Sequence, residues 1–379
     1  MAIKHPNPPK NRARPMRFPE PIPEASGPVS IPQSRVAQNY YLSAKTEPQP
    51  SVRVELLEGQ YAGEKLWRVR VDNGNARLVH RPGLGDRGRS ANEILDDIGK
   101  RKETERHLEA SALKAGEKAA RSPRVQRPIG ETCFEYRGAL HRPLVVFPPD
   151  QRDLLTDSSW PWRLIGKVTT SDGKGASGAL VGGRIMLTAR HVRPVNSIAA
   201  RNWWIQFTPH YFDGMTPFGT SFVSNNEFYQ FTGDTGFDLA HDYMVCRLFE
   251  PLGDQIGFFG AEEYSEDWND DEVWASVGYP GDLAGGERPF VQVNCSIEDS
   301  REGGDGQTLE TEADLNHGDS GGPFWAWFNN GDPRIIGVTS DEVDFATNYV
   351  VTVSHDLDNS VAGGKDMVEL IRWARQNWT

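Results

Sequence analysis

In Asn316-His317-Gly318-Asp319-Ser320-Gly321-Gly322-Pro323-Phe324-Trp325, one serine stands among three glycines and is followed by a proline and two aromatic residues. A hydroxyl nucleophile needs open backbone around it, so that a carbonyl group can approach. Glycines on both sides provide that space and let neighbouring amides converge on one point where an oxyanion would form. Ser320 is the candidate nucleophile, and the N–H groups of Gly318 and Ser320 are the candidate oxyanion donors. The plain alternative is a glycine-rich turn with an incidental serine.

Outward from this stretch the chain reads as all-β. Short apolar runs alternate with Gly, Pro, Asn and Asp turns from about residue 145 onward. They are Leu164–Val168, Gly178–Val181, Arg184–Leu187, Tyr243–Cys246, Trp274–Val277, Arg334–Val338 and Asn348–Val353. Many short strands at such spacing predict a barrel or sandwich. At the end of the chain Met367, Leu370, Ile371, Ala374 and Trp378 recur at helical spacing, which predicts one C-terminal helix with a single buried face.

Two further stretches carry chemistry. In Met186-Leu187-Thr188-Ala189-Arg190-His191-Val192 an apolar strand runs into a small-residue turn that presents His191, where a base can be held by a rigid scaffold. The third group must be a carboxylate that orients the imidazole. Phe237-Asp238-Leu239-Ala240-His241-Asp242-Tyr243-Met244-Val245 offers Asp242, at the mouth of an apolar run, and Asp238, which reads equally as a turn or cap carboxylate. The acidic run from Glu262 to Trp268 reads as a solvated loop without metal-ligand spacing. Trp203-Trp204 reads as core, and Gly303-Gly304-Asp305-Gly306 as a turn.

The chain has 379 residues and a net charge of −12. Residues 1–130 hold 24 Lys and Arg against 15 Asp and Glu, whereas the remainder holds 17 against 38, so the two parts attract each other. Residues 1–50 are Pro-rich with few bulky apolar residues, a composition of disorder. Residues 51–144 predict a basic α+β region, with two short strands through Val52–Leu56 and Leu66–Val71 and a charged helix over 90–120. The opening residues lack the apolar core of a secretory signal, and no apolar run reaches membrane-spanning length. Three cysteines, Cys133, Cys246 and Cys295, are no disulfide framework and read as buried or idle thiols.

The order His…Asp…Ser, in Thr188-Ala189-Arg190-His191, Asp242-Tyr243-Met244-Val245 and Gly318-Asp319-Ser320-Gly321-Gly322-Pro323, resembles the chymotrypsin-like serine proteases. Pro149–Asp153, Trp160–Arg163 and Gly278-Tyr279-Pro280-Gly281 look most like the glutamyl-endopeptidase branch of bacterial and fungal proteases. The resemblance covers residues 145–379. It implies two antiparallel β-barrels of the six-stranded type, with His191 and Asp242 from the first and Ser320 from the second, and a C-terminal helix. It implies a secreted serine endopeptidase that acts on polypeptides as a monomer, with no metal, cofactor, nucleic acid or membrane partner. The alternative is an idle protease fold used as a binding module.

There are departures. Val192 stands where the family has a disulfide-bonded cysteine, and Thr339 where the glutamyl branch has the histidine that meets the substrate carboxylate. Asp314, six residues before Ser320, matches the aspartate with which trypsin-like enzymes bind Arg or Lys. Asp314, Thr339 and Ser340, with Asp341 and Glu342 beyond, are therefore candidate pocket residues, against a plain turn role for Asp314. In the wider family the aspartate at Asp319 can pair with an N-terminus freed by cleavage. The basic N-terminal part is accordingly a candidate pro-region lying on the acidic protease part; its alternatives are binding of nucleic acid or an anionic membrane.

Overall fold

The computed structural model describes residues 12–19, 51–57, 66–72, 107–110, 134–136, 139–141, 144, 146–147, 149–194, 203–231, 239–344 and 357–378. The expected strand over Asn348–Val353, Cys133 and Asp238 lie outside them.

Six strands close a barrel: Ile165–Thr170, Gly175–Gly182, Ile185–Thr188, Met244–Leu248, Ser221–Phe231 and Ile205–Pro209, the last pairing back onto the first. Every neighbouring pair is antiparallel. The strand Gly175–Gly182 is buried along its whole length, because one face fills the barrel and the other is covered by the rest of the protein. That is why the sequence shows continuous apolar runs here and no alternation.

The second unit is a sheet in the order Asp299–Gly303, Gly306–Thr311, Leu357–Gly364, Pro333–Asp344, Pro323–Phe328, Trp274–Gly278, Phe290–Cys295 and Asp153–Leu154. Among the described residues no pairing joins its two ends, so the second expected barrel is an antiparallel sheet here. Alternation is clear in Pro323–Phe328. Phe324, Ala326 and Phe328 enter the sheet's own core with Trp274 and Ile336. Trp325 points the other way, into a core shared with the barrel residues Leu180, Leu187 and Val245. A period of two thus lets one strand serve two cores, and the shared one fixes the units against each other.

The C-terminal helix is Lys365–Asn377, and Met367, Leu370, Ile371, Ala374 and Trp378 are all buried as their spacing predicted. Arg375 donates from Nε to the Val181 carbonyl at 2.6 Å and from Nη2 to that of Phe259 at 2.7 Å. Cys246 and Cys295 are buried and free, one in each unit. Among the described residues no helix is long and apolar enough to cross a membrane.

Parts of the N-terminal third pair with strands of both units. The two strands Ser51–Leu57 and Leu66–Asp72 form as the sequence predicted, but Leu66–Asp72 pairs along its length with Ser221–Phe231 and so extends the barrel sheet. Within the expected helix over 90–120, His107–Leu108 is instead extended and pairs with Ala261 and Glu262; residues 90–106 and 111–120 lie outside the described residues. Residues 12–19, within the segment expected to be disordered, make specific contacts. Pro15–Met16 pairs with Trp327 and Phe328. Phe18 is buried, with its ring edge-on to Trp325 at 5.0 Å. Arg12 donates to Glu262 Oε1 at 2.9 and 2.6 Å, and Arg334 donates to Glu262 Oε2 at 2.8 Å. Glu262, expected in a solvated loop, is therefore a buried carboxylate between two guanidinium groups. Composition misses this docking because backbone pairing carries no residue signature, and one buried aromatic is enough to anchor a polar segment.

Candidate active site

His191 follows the strand Ile185–Thr188 in a single 3-10 turn, Arg190–Val192. That strand pairs with Met244–Leu248, with Thr188 opposite Met244. The register therefore brings the residues just after Thr188 beside those just before Met244, which is where Asp242 lies. His191 Nδ1 is 2.6 Å from Asp242 Oδ2, and the His191 amide donates to Asp242 Oδ1 at 2.9 Å. Ser340, on the second unit's strand Pro333–Asp344, donates from Oγ to Asp242 Oδ2 at 2.7 Å. Burial alone would push the Asp242 carboxyl up. The charges of His191 and Arg190 and the hydrogen bonds from His191 and Ser340 outweigh it, so its pKa lies below the ordinary aspartate value. An ionised carboxylate accepts and cannot donate, which assigns a proton to His191 Nδ1, so that in the neutral imidazole Nε2 is the acceptor.

Around Ser320 the four carbonyls of residues 317–320 all have donors. The His317 carbonyl accepts from the Gly281 amide at 2.6 Å and the Gly318 carbonyl from Ser177 Oγ at 2.7 Å. The Asp319 carbonyl accepts from the Gly322 amide at 2.7 Å and the Ser320 carbonyl from the Ser177 amide at 2.9 Å. In a trans peptide the N–H points opposite to its carbonyl. The Gly318 and Ser320 amides are thus turned away from Gly281 and Gly322, and among the described residues neither donates to another group of the chain. Gly318 has φ +101° and Gly321 φ +82°. A Cβ at Gly321 would overlap Thr188 Oγ1 and lie 2.7 Å from the Ala189 amide nitrogen, so the turn is seated against the segment that presents His191.

The three candidate pocket residues each make contacts within the chain. Asp314 is buried, and its carboxylate accepts from the amides of Phe147 at 2.6 Å and Gln151 at 2.7 Å. Both oxygens hold the chain's own backbone, so the acid braces the segment before the first strand of the second sheet. Ser340 faces Asp242. Thr339 exchanges backbone hydrogen bonds with the Ser320 turn, through Gly321 N and Gly322 O, each 2.8 Å. Its own hydroxyl is buried with no partner among the described residues. The side chains of Asp341 and Glu342 lie outside the described residues.

Asp319 is also buried. Oδ2 accepts from the Asn316 amide at 2.9 Å and is 3.9 Å from Arg152 Nη1. Arg152 makes its shorter contacts to Asp150 Oδ2, 2.9 Å, and Asp282 Oδ2, 2.7 Å. One cation thus faces three carboxylates. Burial is the main influence on Asp319 and pushes its pKa up to about 8, with Asp282 and Asp150 adding to it against the Asn316 amide and Arg152.

A closed antiparallel barrel and a second antiparallel sheet sharing one core, with the histidine on the first and the glycine-flanked serine on the second, make the fold of the chymotrypsin-like serine proteases. The sequence profile of the trypsin family matches residues 153–355, more than half of the chain, and the chain belongs to that family. No curated protein matches it. Among solved structures, it is similar to a Glu endopeptidase in complex with MPD, at 20% identity and a TM-score of 0.46 over 61% of this chain and 100% of the other. It is also similar to the protease Anisep from Arthrobacter nicotinovorans, at 18% identity and a TM-score of 0.40 over 56% of this chain and 93% of that one. A thermostable serine protease AL20 from an extremophilic microorganism aligns at 16% identity and a TM-score of 0.37, over 57% and 95% of the two chains.

Proposed function

We propose that this chain is a serine endopeptidase that works through an acyl-enzyme, with Ser320, His191 and Asp242 as its triad. The observation that carries the reading is the hydrogen-bond relay Ser340–Asp242–His191, set beside a serine turn whose carbonyls at residues 317–320 are all engaged and whose Gly318 and Ser320 amides are free. His191 Nε2 takes the Ser320 proton as Oγ attacks the peptide carbonyl carbon. The carbonyl oxygen becomes an oxyanion facing the two amides, and Asp242 stabilises the imidazolium. His191 then protonates the departing amine, the C–N bond breaks and an ester remains on Ser320. Water, deprotonated by His191, attacks that ester and releases the acid. Preorganised donors contribute here as well, since removing one such donor costs about 10²–10³ in rate.

A fluorophosphonate probe tests this directly. The wild-type protein should be labelled, and Ser320→Ala should not be. A folded wild-type protein that takes up no label would instead identify an idle fold used for binding.

A basic pro-region that departs after cleavage is the second reading of the N-terminal third. The docked strand Pro15–Met16, buried Phe18 and the Arg12–Glu262 pair favour a retained segment. After a cut within residues 121–148, the piece carrying residues 12–18 is expected to co-elute with the protease body and separate only in denaturant. An active body that elutes free of it would restore the departing pro-region.

A further inference from the structure

We propose that Ser177 is a positioning residue for the oxyanion donors, a clasp from the first barrel that holds the second unit's serine turn in its working conformation; this rests on the acyl-transfer reading above. Ser177 lies on the barrel strand Gly175–Gly182 and is fully buried. Its hydroxyl donates to the Gly318 carbonyl at 2.7 Å and accepts from the Tyr279 amide at 2.9 Å. Its amide donates to the Ser320 carbonyl at 2.9 Å, and its carbonyl accepts from Thr188 Oγ1 at 2.7 Å. One residue thus engages three backbone groups across the seam between the units, and the strand that leads to His191 as well.

The hydroxyl's position decides what it controls. The Gly318 carbonyl belongs to the peptide plane between Gly318 and Asp319, and the two free amides lie on either side of that plane. Fixing the plane fixes the angle between the donors. The backbone bond from the Ser177 amide survives any side-chain change, and the Asp319 amide of the same plane donates to the Asn316 carbonyl at 2.9 Å, so the side chain sets the carbonyl end of the plane and the local turn holds its N–H end. Ser177→Ala would leave that carbonyl and the Tyr279 amide, both in buried residues, without this partner, and the plane would be held only at its N–H end, by the Asn316 carbonyl.

The test compares wild type, Ser177→Ala and Ser177→Cys, which keeps the shape of the side chain but offers only a weak donor. Rates are expressed per site titrated by the fluorophosphonate, so unfolded protein does not enter. Ser177→Ala is expected to lower kcat by about 10- to 100-fold, somewhat less than deleting an oxyanion donor outright, with KM nearly unchanged. Affinity for a peptide boronate, whose adduct on Ser320 places an oxygen against the two amides, should fall by a similar factor. A purely structural role would lower the melting temperature and leave boronate affinity per titrated site where it was. Ser177→Cys should fall between the two, and it serves as the test if the alanine variant does not fold. Unchanged kcat and boronate affinity in either folded variant would overturn the clasp while leaving the triad intact. A wild-type protein that takes no label overturns the acyl-transfer reading itself.

Discussion

Asp242→Asn is expected to lower kcat by about 10⁴-fold while the protein stays folded, the loss seen when this constellation keeps its geometry but not its tautomer. Three donors converge on the carboxylate: the His191 amide, His191 Nδ1 and Ser340 Oγ. An asparagine offers one acceptor and one NH₂ group, so one of its atoms must meet a donor with a donor. The relief is for His191 to move its proton from Nδ1 to Nε2, and an imidazole protonated at Nε2 cannot take the serine proton. Steady-state kinetics of Asp242→Asn and Asp238→Asn on the same peptide substrate check this. Asp238→Asn should remain within about tenfold of wild type, since that carboxylate has no part in the proposed relay. Four orders lost at 238, or wild-type rates at 242, would reassign the orienting acid.

Gly318→Ala is expected to cost about 10²–10³ in kcat, the effect of losing one oxyanion donor, and to lower the melting temperature. Two causes act together. At φ +101° a side chain is strained whatever the space around it, and here a Cβ would also overlap the Tyr279 carbonyl oxygen. The backbone must shift to make room, and the shift falls on the amide that faces the oxyanion. Initial rates and a thermal melt on the same preparation measure both. A variant with wild-type kcat would mean that the Gly318 amide is not an oxyanion donor.

The sequence made the serine and histidine legible because their surroundings are as specific as the residues themselves: three glycines around Ser320, and an apolar strand ending just before His191. Asp242 was legible from the apolar run behind it, although Asp238 competed until the pairing of Thr188 with Met244 placed Asp242 against His191. The barrel strands and the C-terminal helix followed from their runs and spacing. Ser340 and Ser177 were not legible in these roles. They meet their partners 98 and 141 residues away in sequence, and Ser177 binds backbone groups that look alike at every position. The contacts of Asp314 were not legible for a related reason. Its place before the nucleophile matches a pocket acid, but its partners are two amides near residue 150 that no side-chain pattern announces. The docking of residues 12–18 was hidden in the same way, since a two-residue ladder and one phenylalanine leave no mark on composition.

The two described cysteines carry a consequence for how the units are held together. Cys246 and Cys295 sit in different units, each deep in packed core, and burial pushes both thiols up, Cys295 to about 12. Thiolate is the form that exchanges with glutathione and other disulfides, and these residues hold almost none of it. Neither bridges, and Val192 stands where relatives cross-link the histidine turn. Among the described residues the units are joined without a disulfide, by contacts that include the shared apolar core and those of Ser177 and Ser340 across the seam.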